Sequence, residues 1–148
     1  MSAPRRVDET AAREAFERAL QDHTQEFGRF FLARLFGMDI QFPQGCCRVS
    51  LTPRDFMFNP QGSLHGGVVA TIMDISMGHL LNHVSGPGTT LEMKTQYVKA
   101  VRIEPLVCTG RFLRQGRSIS YLCSELVDAQ GELVAYATST WKSLKPAG

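Results

Sequence analysis

The fold is decided by residues 66–83, GGVVATIMDISMGHLLNH, which are small or apolar at nearly every position. Such a run predicts a long helix that is buried on most of its sides. Asp74 lies in the middle of this run and is the only charged residue between Asp55 and Glu92. Burying an unpaired carboxylate is costly, so its presence here indicates either a dedicated partner or a chemical role.

Short strands surround the long helix in the sequence. Alternation places Leu91, Met93, Thr95 and Tyr97 on one predicted face of the strand that follows the helix. Gly-containing turns then separate hairpin-linked strands, which favours an antiparallel sheet wrapped on the helix, an α+β fold. The predicted strands are 36–42, 46–51, 89–100, 106–114, 118–127 and 133–144.

The length of 148 residues suits one core-forming domain. Residues 1–7 are predicted to form a loose tail. Residues 8–34 have helical periodicity, with Asp8 as a candidate N-cap and Gly28 as a candidate break. Residues 35–148 form the predicted α+β domain.

Composition narrows the function classes. The formal net charge of +2 does not indicate a nucleic-acid-binding surface, and neither a signal peptide nor a membrane span is predicted. The four cysteines, Cys46, Cys47, Cys108 and Cys123, lack the spacing of a chelating pair. They are interpreted as reduced core thiols of a cytoplasmic protein, with no metal site.

The spacing between Gly66 and Asp74 has a geometric consequence. Eight residues of α-helix correspond to a rise of about 12 Å. The amides of Gly66 and Gly67 would lie in the first turn, at the positive end of the helix dipole, where a ligand carbonyl can approach closely. One carbonyl cannot reach both Gly66 and Asp74 of the same helix. If both act on one bond, Asp74 must come from the antiparallel helix of a two-fold partner.

Structural roles remain open for each of these residues. Asp74 could accept hydrogen bonds from hydroxyls such as that of Thr71, or from His79 on a neighbouring helix. His65 could orient the loop before the helix, which is favoured over direct proton transfer by this residue. The two glycines are also common at loop-to-helix junctions.

Three segments together resemble the PaaI-like branch of the hotdog-fold acyl-CoA thioesterases. They are 59–67 (NPQGSLHGG) with Asp74 and Gly78, 90–97 (TLEMKTQY), and 114–117 (RQGR). The resemblance covers roughly residues 36–144. It implies a hotdog fold, a long central helix wrapped by a curved antiparallel sheet, with an additional N-terminal helical segment. It also implies a homodimer, often paired further into a homotetramer.

The resemblance implies roles for five residues. Asp74 matches the catalytic carboxylate, which acts as nucleophile or general base, and Gly66 matches the amide that polarises the thioester carbonyl. Asn59 matches a residue that places water or the thioester, and His65 one near the thioester sulfur. Thr90 matches a hydroxyl residue that helps to hold the water, although the adjacent Thr89 also carries a hydroxyl.

Coenzyme A would be part of the substrate, so no cofactor is expected. A thioester needs a nucleophile and a stabilised oxyanion, but its thiolate leaves with little acid assistance. Arg117, in the Gly116-Arg117 turn, is the first candidate for binding the phosphates of coenzyme A. Arg114, Lys99 and Arg102, also at strand ends and turns, are further candidates ranked below it.

The expected reaction is hydrolysis of an aromatic or medium- to long-chain acyl-CoA to the free acid and CoA. A non-catalytic acyl-CoA-binding domain and, less favoured, a hotdog dehydratase or hydratase are the alternatives. The N-terminal segment could cap the acyl pocket, cover a sheet edge or extend the dimer. Candidate lining residues of the acyl pocket are Met73, Met77, Leu81, Phe56 and Phe58.

Overall fold

The computed structural model describes residues 3–144 of the chain. Residues 1 and 2 of the predicted tail and residues 145–148 of the predicted domain lie outside this range. The helices are α1 (Glu9–Asp22), α2 (Phe31–Leu35) and α3 (Gly66–Ser85). The strands are β1 (Asp39–Gln41), β2 (Cys46–Leu51), β3 (Gly88–Tyr97), β4 (Leu106–Arg114), β5 (Ile119–Val127) and β6 (Leu133–Ser143).

The six strands form one antiparallel sheet in the order β1-β2-β4-β5-β6-β3. The core lies between this sheet and α3, as the apolar run predicts. The helix backbone approaches β4 closely at Gly110, where a Cβ atom would lie 2.6 Å from the carbonyl oxygen of Ser76. Among residues 3–144, β3 pairs with β6 alone and therefore forms one edge of the sheet.

The N-terminal segment begins where the sequence predicts, but its break is longer than predicted. Residues 23–30, which include Gly28, are not helical, and α1 ends at Asp22. The Asp8 side chain accepts a hydrogen bond from the amide of Ala11 and caps α1. Gly28 has a φ of 84°, a conformation that favours glycine, and lies in the loop of residues 23–30. The second helical piece, α2, has only five residues.

The predicted face of β3 is wrong at one position. A bulge interrupts the register between Thr90 and Glu92, so Leu91 is not inward-facing and is 54% exposed. Met93 and Thr95 are half-buried as predicted. Because a bulge inserts one extra residue, it reverses the alternation on one side of it, and the inward position before the bulge belongs to Thr90.

Three of the cysteines are buried, whereas Cys123 is only half-buried. Ser124 contacts α3 through a 2.8 Å hydrogen bond to Ser76, so its neighbour Cys123 lies on the opposite face of β5. Burial raises the pKa of the Cys47 thiol to about 12 and that of Cys108 to about 11. These two thiols are therefore neutral at physiological pH, as expected for core residues.

Candidate active site

Asp74 lies half-buried in the middle of α3 and has a dedicated partner. The hydroxyl of Thr90 on β3 donates a 2.9 Å hydrogen bond to Oδ1 of Asp74. Neither of the two other candidates fills this role. Thr71 donates instead to the carbonyl of Gly67, and His79 accepts from the amide of Gly28.

The surroundings of Asp74 disfavour its ionised form relative to a carboxyl in water. Burial raises the pKa of the Asp74 carboxyl, and the hydrogen bond from Thr90 lowers it in part. An ionised carboxylate in this position is less hydrated than one on the surface and is a stronger base. The carboxyl opens into a cavity of about 370 Å³, lined by Phe27, Phe30, Leu32, Thr71, Asp74, Ile75, Gly78, His79, Gly88, Thr89, Thr90 and Trp141.

A free amide stands at the beginning of the same helix. The amide of Gly67 donates to Nδ1 of His65 at 2.8 Å, and the next two amides donate to the His65 carbonyl. Within the described part of the chain, the amide of Gly66 is therefore the one in the first turn of α3 that has no acceptor. It is available to a ligand carbonyl at the positive end of the helix.

The contacts of His65 fit a positioning role. Its Nδ1 accepts the Gly67 amide, so the neutral ring carries its proton on Nε2. The ring thereby acts as the N-cap of α3. Because the Gly67 amide donates to His65, the Gly66 amide is the donor that remains for a ligand.

Asn59 organises the loop before α3. Its Oδ1 accepts from the amides of Gln61 and Ser63, at 3.0 and 3.2 Å, and its Nδ2 donates to the Ser63 hydroxyl at 3.1 Å. The side chain thus closes its own turn. Asn59 also lines a cavity of about 280 Å³ that contains Gly66.

The two parts of the predicted site do not meet within one chain. The cavity at Gly66 is lined by Asn59, Ser63, Leu64, Gly66, Val69, Tyr97, Val98, Lys99, Ala100, Val101 and Val134. It shares no residue with the cavity at Asp74. The separation of Gly66 and Asp74 along α3, inferred from their spacing, therefore places them in two different cavities.

The predicted phosphate-binding residues differ in their availability. Arg114 and Arg117 are exposed at the β4–β5 turn. Only glycine fits at position 116 without a shift of the backbone, because a Cβ atom there would lie 1.9 Å from the Ile119 carbonyl oxygen. The Lys99 ammonium contacts carboxylates of Asp128 and Glu132 at 2.5 and 2.7 Å, and these bonds raise its pKa. Lys99 is therefore less available to a phosphate than the two arginines.

Arg102, the remaining candidate for binding a phosphate, also has a hydrogen-bond partner within the chain. Its Nη1 donates to the Gly62 carbonyl at 2.9 Å.

The residues expected to line the acyl pocket do not line the Asp74 cavity. Met73, Met77 and Leu81 are at most 1% exposed and belong to the core between α3 and the sheet, where Phe56 and Phe58 also pack. Neighbouring residues on a helix point about 100° apart, so Met73 packs in the core without lining the cavity, whereas Ile75 on the other side of Asp74 does line it.

Sequence reasoning missed several residues of both cavities. The Tyr97 hydroxyl donates to the Gly66 carbonyl at 2.8 Å. Phe27, Phe30 and Leu32 line the Asp74 cavity although they precede it by more than 40 residues. Their only signal in the sequence is a cluster of apolar residues beside the predicted helix break.

No helix among residues 3–144 has the length and apolar character needed to span a membrane. No group of three or more His, Cys, Asp or Glu side chains in this range is arranged to hold a metal ion.

A family model described as the thioesterase superfamily matches residues 61–135, about half of the chain. Human acyl-coenzyme A thioesterase 13 is 31% identical over 86 residues, which are 55% of this chain and 61% of the human protein. The chain thus matches about three fifths of the length of this curated relative.

Solved structures have the same fold. The PaaI protein of Escherichia coli, from the phenylacetic acid degradation operon, superposes with a TM-score of 0.77 at 20% identity, covering 88% of this chain and 96% of that protein. A Streptococcus mutans protein bound to acetyl-CoA has a TM-score of 0.68 at 25% identity, covering 71% and 86%. The predicted hotdog fold is confirmed.

Proposed function

The chain belongs to the thioesterase superfamily, and from this premise we propose that it hydrolyses acyl-CoA thioesters to a free acid and CoA. The observation that carries the proposal is the pair of half-sites on α3. A half-buried carboxylate with a hydroxyl partner lies in one cavity, and an amide without an acceptor lies in the other. Thioester hydrolysis needs these two elements on opposite sides of one carbonyl.

A two-fold dimer would bring the half-sites together. Antiparallel packing of α3 against its copy would set Asp74 of one protomer opposite Gly66 of the other, and would do so twice. β3 supports this arrangement because it is an edge strand and carries Thr90 at its inward side, beside Asp74. An unpaired edge offers its backbone groups to another strand.

In the general-base form of the reaction, Asp74 removes a proton from water while the water oxygen bonds to the thioester carbon. Negative charge develops on the carbonyl oxygen and is stabilised by the Gly66 amide. The tetrahedral intermediate collapses, the C–S bond breaks, and CoA leaves as a thiolate that is then protonated. Thr90, which donates to Oδ1 of Asp74, orients the carboxylate.

In the nucleophilic form, the Asp74 carboxylate itself bonds to the thioester carbon and expels the thiolate, leaving an anhydride that water cleaves. A single turnover in ¹⁸O-labelled water separates the two forms. The general-base route puts the label into the acid product. The nucleophilic route with water attack at the Asp74 carbonyl leaves the label in the protein.

The substrate class follows from chemistry already described. The S. mutans protein is bound to acetyl-CoA, and the human protein that is 31% identical over 86 residues is named an acyl-coenzyme A thioesterase. Arg114 and Arg117 are the best-placed cations for the CoA phosphates, because both are exposed and make no ion pair within the described residues.

A complementation experiment tests both the activity and the shared site. Asp74→Asn removes the base, and Gly66→Pro removes the amide donor at the first helical position, where proline is tolerated. Each variant alone is expected to be nearly inactive. A heteromer of the two, isolated through two different tags, contains sites with intact Asp74 and intact Gly66. It should recover roughly a quarter to a half of the parental activity.

Two outcomes would contradict the proposal in different ways. If the unmodified protein hydrolyses acyl-CoA but the heteromer is as inactive as the two single variants, the shared site is excluded. If the parental protein binds acyl-CoA and releases no thiol across aromatic and aliphatic esters, the chain is a binding domain and the enzymatic proposal is wrong.

A further inference from the structure

The loop of residues 23–30, between α1 and α2, is attached to the middle of α3. The amide of Gly28 donates a 2.9 Å hydrogen bond to Nε2 of His79. The ring of Phe27 meets the His79 ring edge-on at 5.0 Å, and that of Phe30 lies 5.6 Å from it. His79 is 5% exposed, so this attachment occurs at a buried position.

The state of His79 suits an acceptor. Burial lowers the pKa of the imidazole, so the ring is neutral at physiological pH, and a contact with the Ile75 carbonyl opposes this shift in part. A neutral ring has one acceptor nitrogen, which here is Nε2. The positive φ of Gly28 lets the loop turn its amide toward the ring.

The attached loop also lines the cavity that contains Asp74. Phe27 and Phe30 belong to that cavity and to an adjoining one of about 280 Å³, and His79 belongs to both. The three shared rings therefore lie between two cavities that are side by side. Phe27 is 52% exposed although it is large and apolar, and its ring faces these cavities rather than the core.

We propose that this loop forms the acyl-group wall of the Asp74 site, with Phe27 and Phe30 as specificity-determining residues and His79 as the positioning residue that holds the loop. The proposal rests on the proposed thioesterase function and extends it to substrate choice. The wall presents phenyl rings, and aromatic pairs gain from edge-to-face and offset contacts that a saturated chain does not make. The site should therefore favour an aromatic acyl group over a linear one of equal size.

The test compares two esters with the same number of acyl carbons, phenylacetyl-CoA and octanoyl-CoA. The parental protein should have the higher kcat/KM for phenylacetyl-CoA. Phe27→Ala and Phe30→Ala should each lower the ratio of the two kcat/KM values about three- to tenfold, because each removes one ring contact.

Phe16→Ala is the matched control. Phe16 is also a half-exposed aromatic residue of the N-terminal segment, 47% exposed, and its ring contacts Phe31 rather than the cavity. This variant should leave the ratio unchanged. Asp74→Asn, measured in parallel, should lose activity toward both esters and so reports on the proposed function separately.

His79 needs two variants because it is buried. His79→Leu removes the acceptor and should lower the ratio as Phe27→Ala does, whereas His79→Gln retains an oxygen acceptor and should restore much of it. If His79→Leu lowers the melting temperature with the ratio unchanged, the residue is merely structural. If Phe27→Ala and Phe30→Ala also leave the ratio unchanged, or the parental protein prefers octanoyl-CoA, the inference is overturned while the thioesterase function stands.

Discussion

The first turn of α3 and its middle are about 12 Å apart and are built in opposite ways. At the first turn, the proposed functional group is the backbone amide of Gly66, which lies beside the capping His65 and the Tyr97 side chain of β3. In the middle, the proposed functional group is the Asp74 carboxyl, which accepts a hydrogen bond from Thr90 beside a largely apolar cavity. Both regions use the same helix and the same strand.

The difference lies in what each region does to stability. The first amides of every α-helix lack an acceptor within that helix, so a free Gly66 amide adds no unusual cost to the free energy of folding. Burial of Asp74 raises its pKa, which means that the folded state disfavours the ionised form. The ionised Asp74 in the middle of the helix is therefore expected to lower the free energy of unfolding. The free Gly66 amide at its beginning is not.

The largest effect is expected from Asp74→Asn. Loss of the base should lower kcat/KM about 10²- to 10⁴-fold. The same change should raise the melting temperature, because the buried charge is removed while the shape is retained. A variant that is inactive and also less stable would contradict the account of this region.

The stability difference has a defined pH dependence. Since the folded pKa of Asp74 is raised, its favourable contribution is present below the unfolded pKa and is lost as pH rises through the folded value. Melting curves of parental protein and Asp74→Asn should therefore nearly coincide at low pH and separate above the usual range of a carboxyl. The parental protein should become the less stable of the two.

Gly66→Pro should lower kcat/KM by about 10²- to 10³-fold through loss of the oxyanion donor, with little change in melting temperature. His65 has φ −62° and ψ 134°, a conformation compatible with a following proline. Gly66→Ala is the control, since it keeps the amide, and its Cβ would meet the Tyr97 ring at an ordinary 3.4 Å. Equal losses in both variants would show that side-chain bulk, not the amide, matters.

Thr90→Val should have a smaller effect, confined to the helix middle. The Thr90 hydrogen bond lowers the pKa of Asp74, so its removal should raise that pKa further and move the acid limb of the kcat/KM profile to higher pH. Activity near neutral pH should fall roughly tenfold or less. Thr90→Ser retains the hydroxyl and should keep the parental profile, whereas an unshifted profile in Thr90→Val would exclude this coupling.

The smallest effect is expected from Tyr97→Phe at the helix beginning. The lost hydrogen bond to the Gly66 carbonyl should reduce the free energy of unfolding by about 1 kcal/mol or less, since Tyr97 is largely exposed. Tyr121→Phe is the control, because the Tyr121 hydroxyl makes no hydrogen bond within the described residues. A loss well above that of Tyr121→Phe and above about 1 kcal/mol would contradict the small contribution expected of this hydrogen bond.

Local features of the fold were predictable because they depend on neighbours in the chain. The capping residue Asp8, the break at Gly28 and the beginning of α3 at Gly66 were all predicted correctly. β2 and β4 were predicted with their observed bounds. The bulge at Leu91 was not, because it depends on how β3 pairs with β6, about 50 residues away.

For the candidate site, the sequence indicated which chemical groups could act, but not which residues contact them. Asp74 and Gly66 stand out by composition and spacing. The contact between Thr90 and Asp74 was suggested by family resemblance alone. The wall formed by Phe27 and Phe30 had only a weak signal, a cluster of apolar residues beside the predicted helix break. Met73, Met77 and Leu81, which the sequence favoured as lining residues, belong to the core and do not line the Asp74 cavity.

The sequence by itself determined that a long apolar helix carries one carboxylate about 12 Å from a glycine-rich beginning, because helix periodicity and rise are local properties. Only the tertiary structure decided which residues surround that carboxylate. Thr90 on β3 donates a hydrogen bond to it, and His79 accepts one from the loop whose Phe27 lines the same cavity. Such contacts join residues 16 and 51 positions apart, and packing of the whole chain, rather than any local pattern, brings them together.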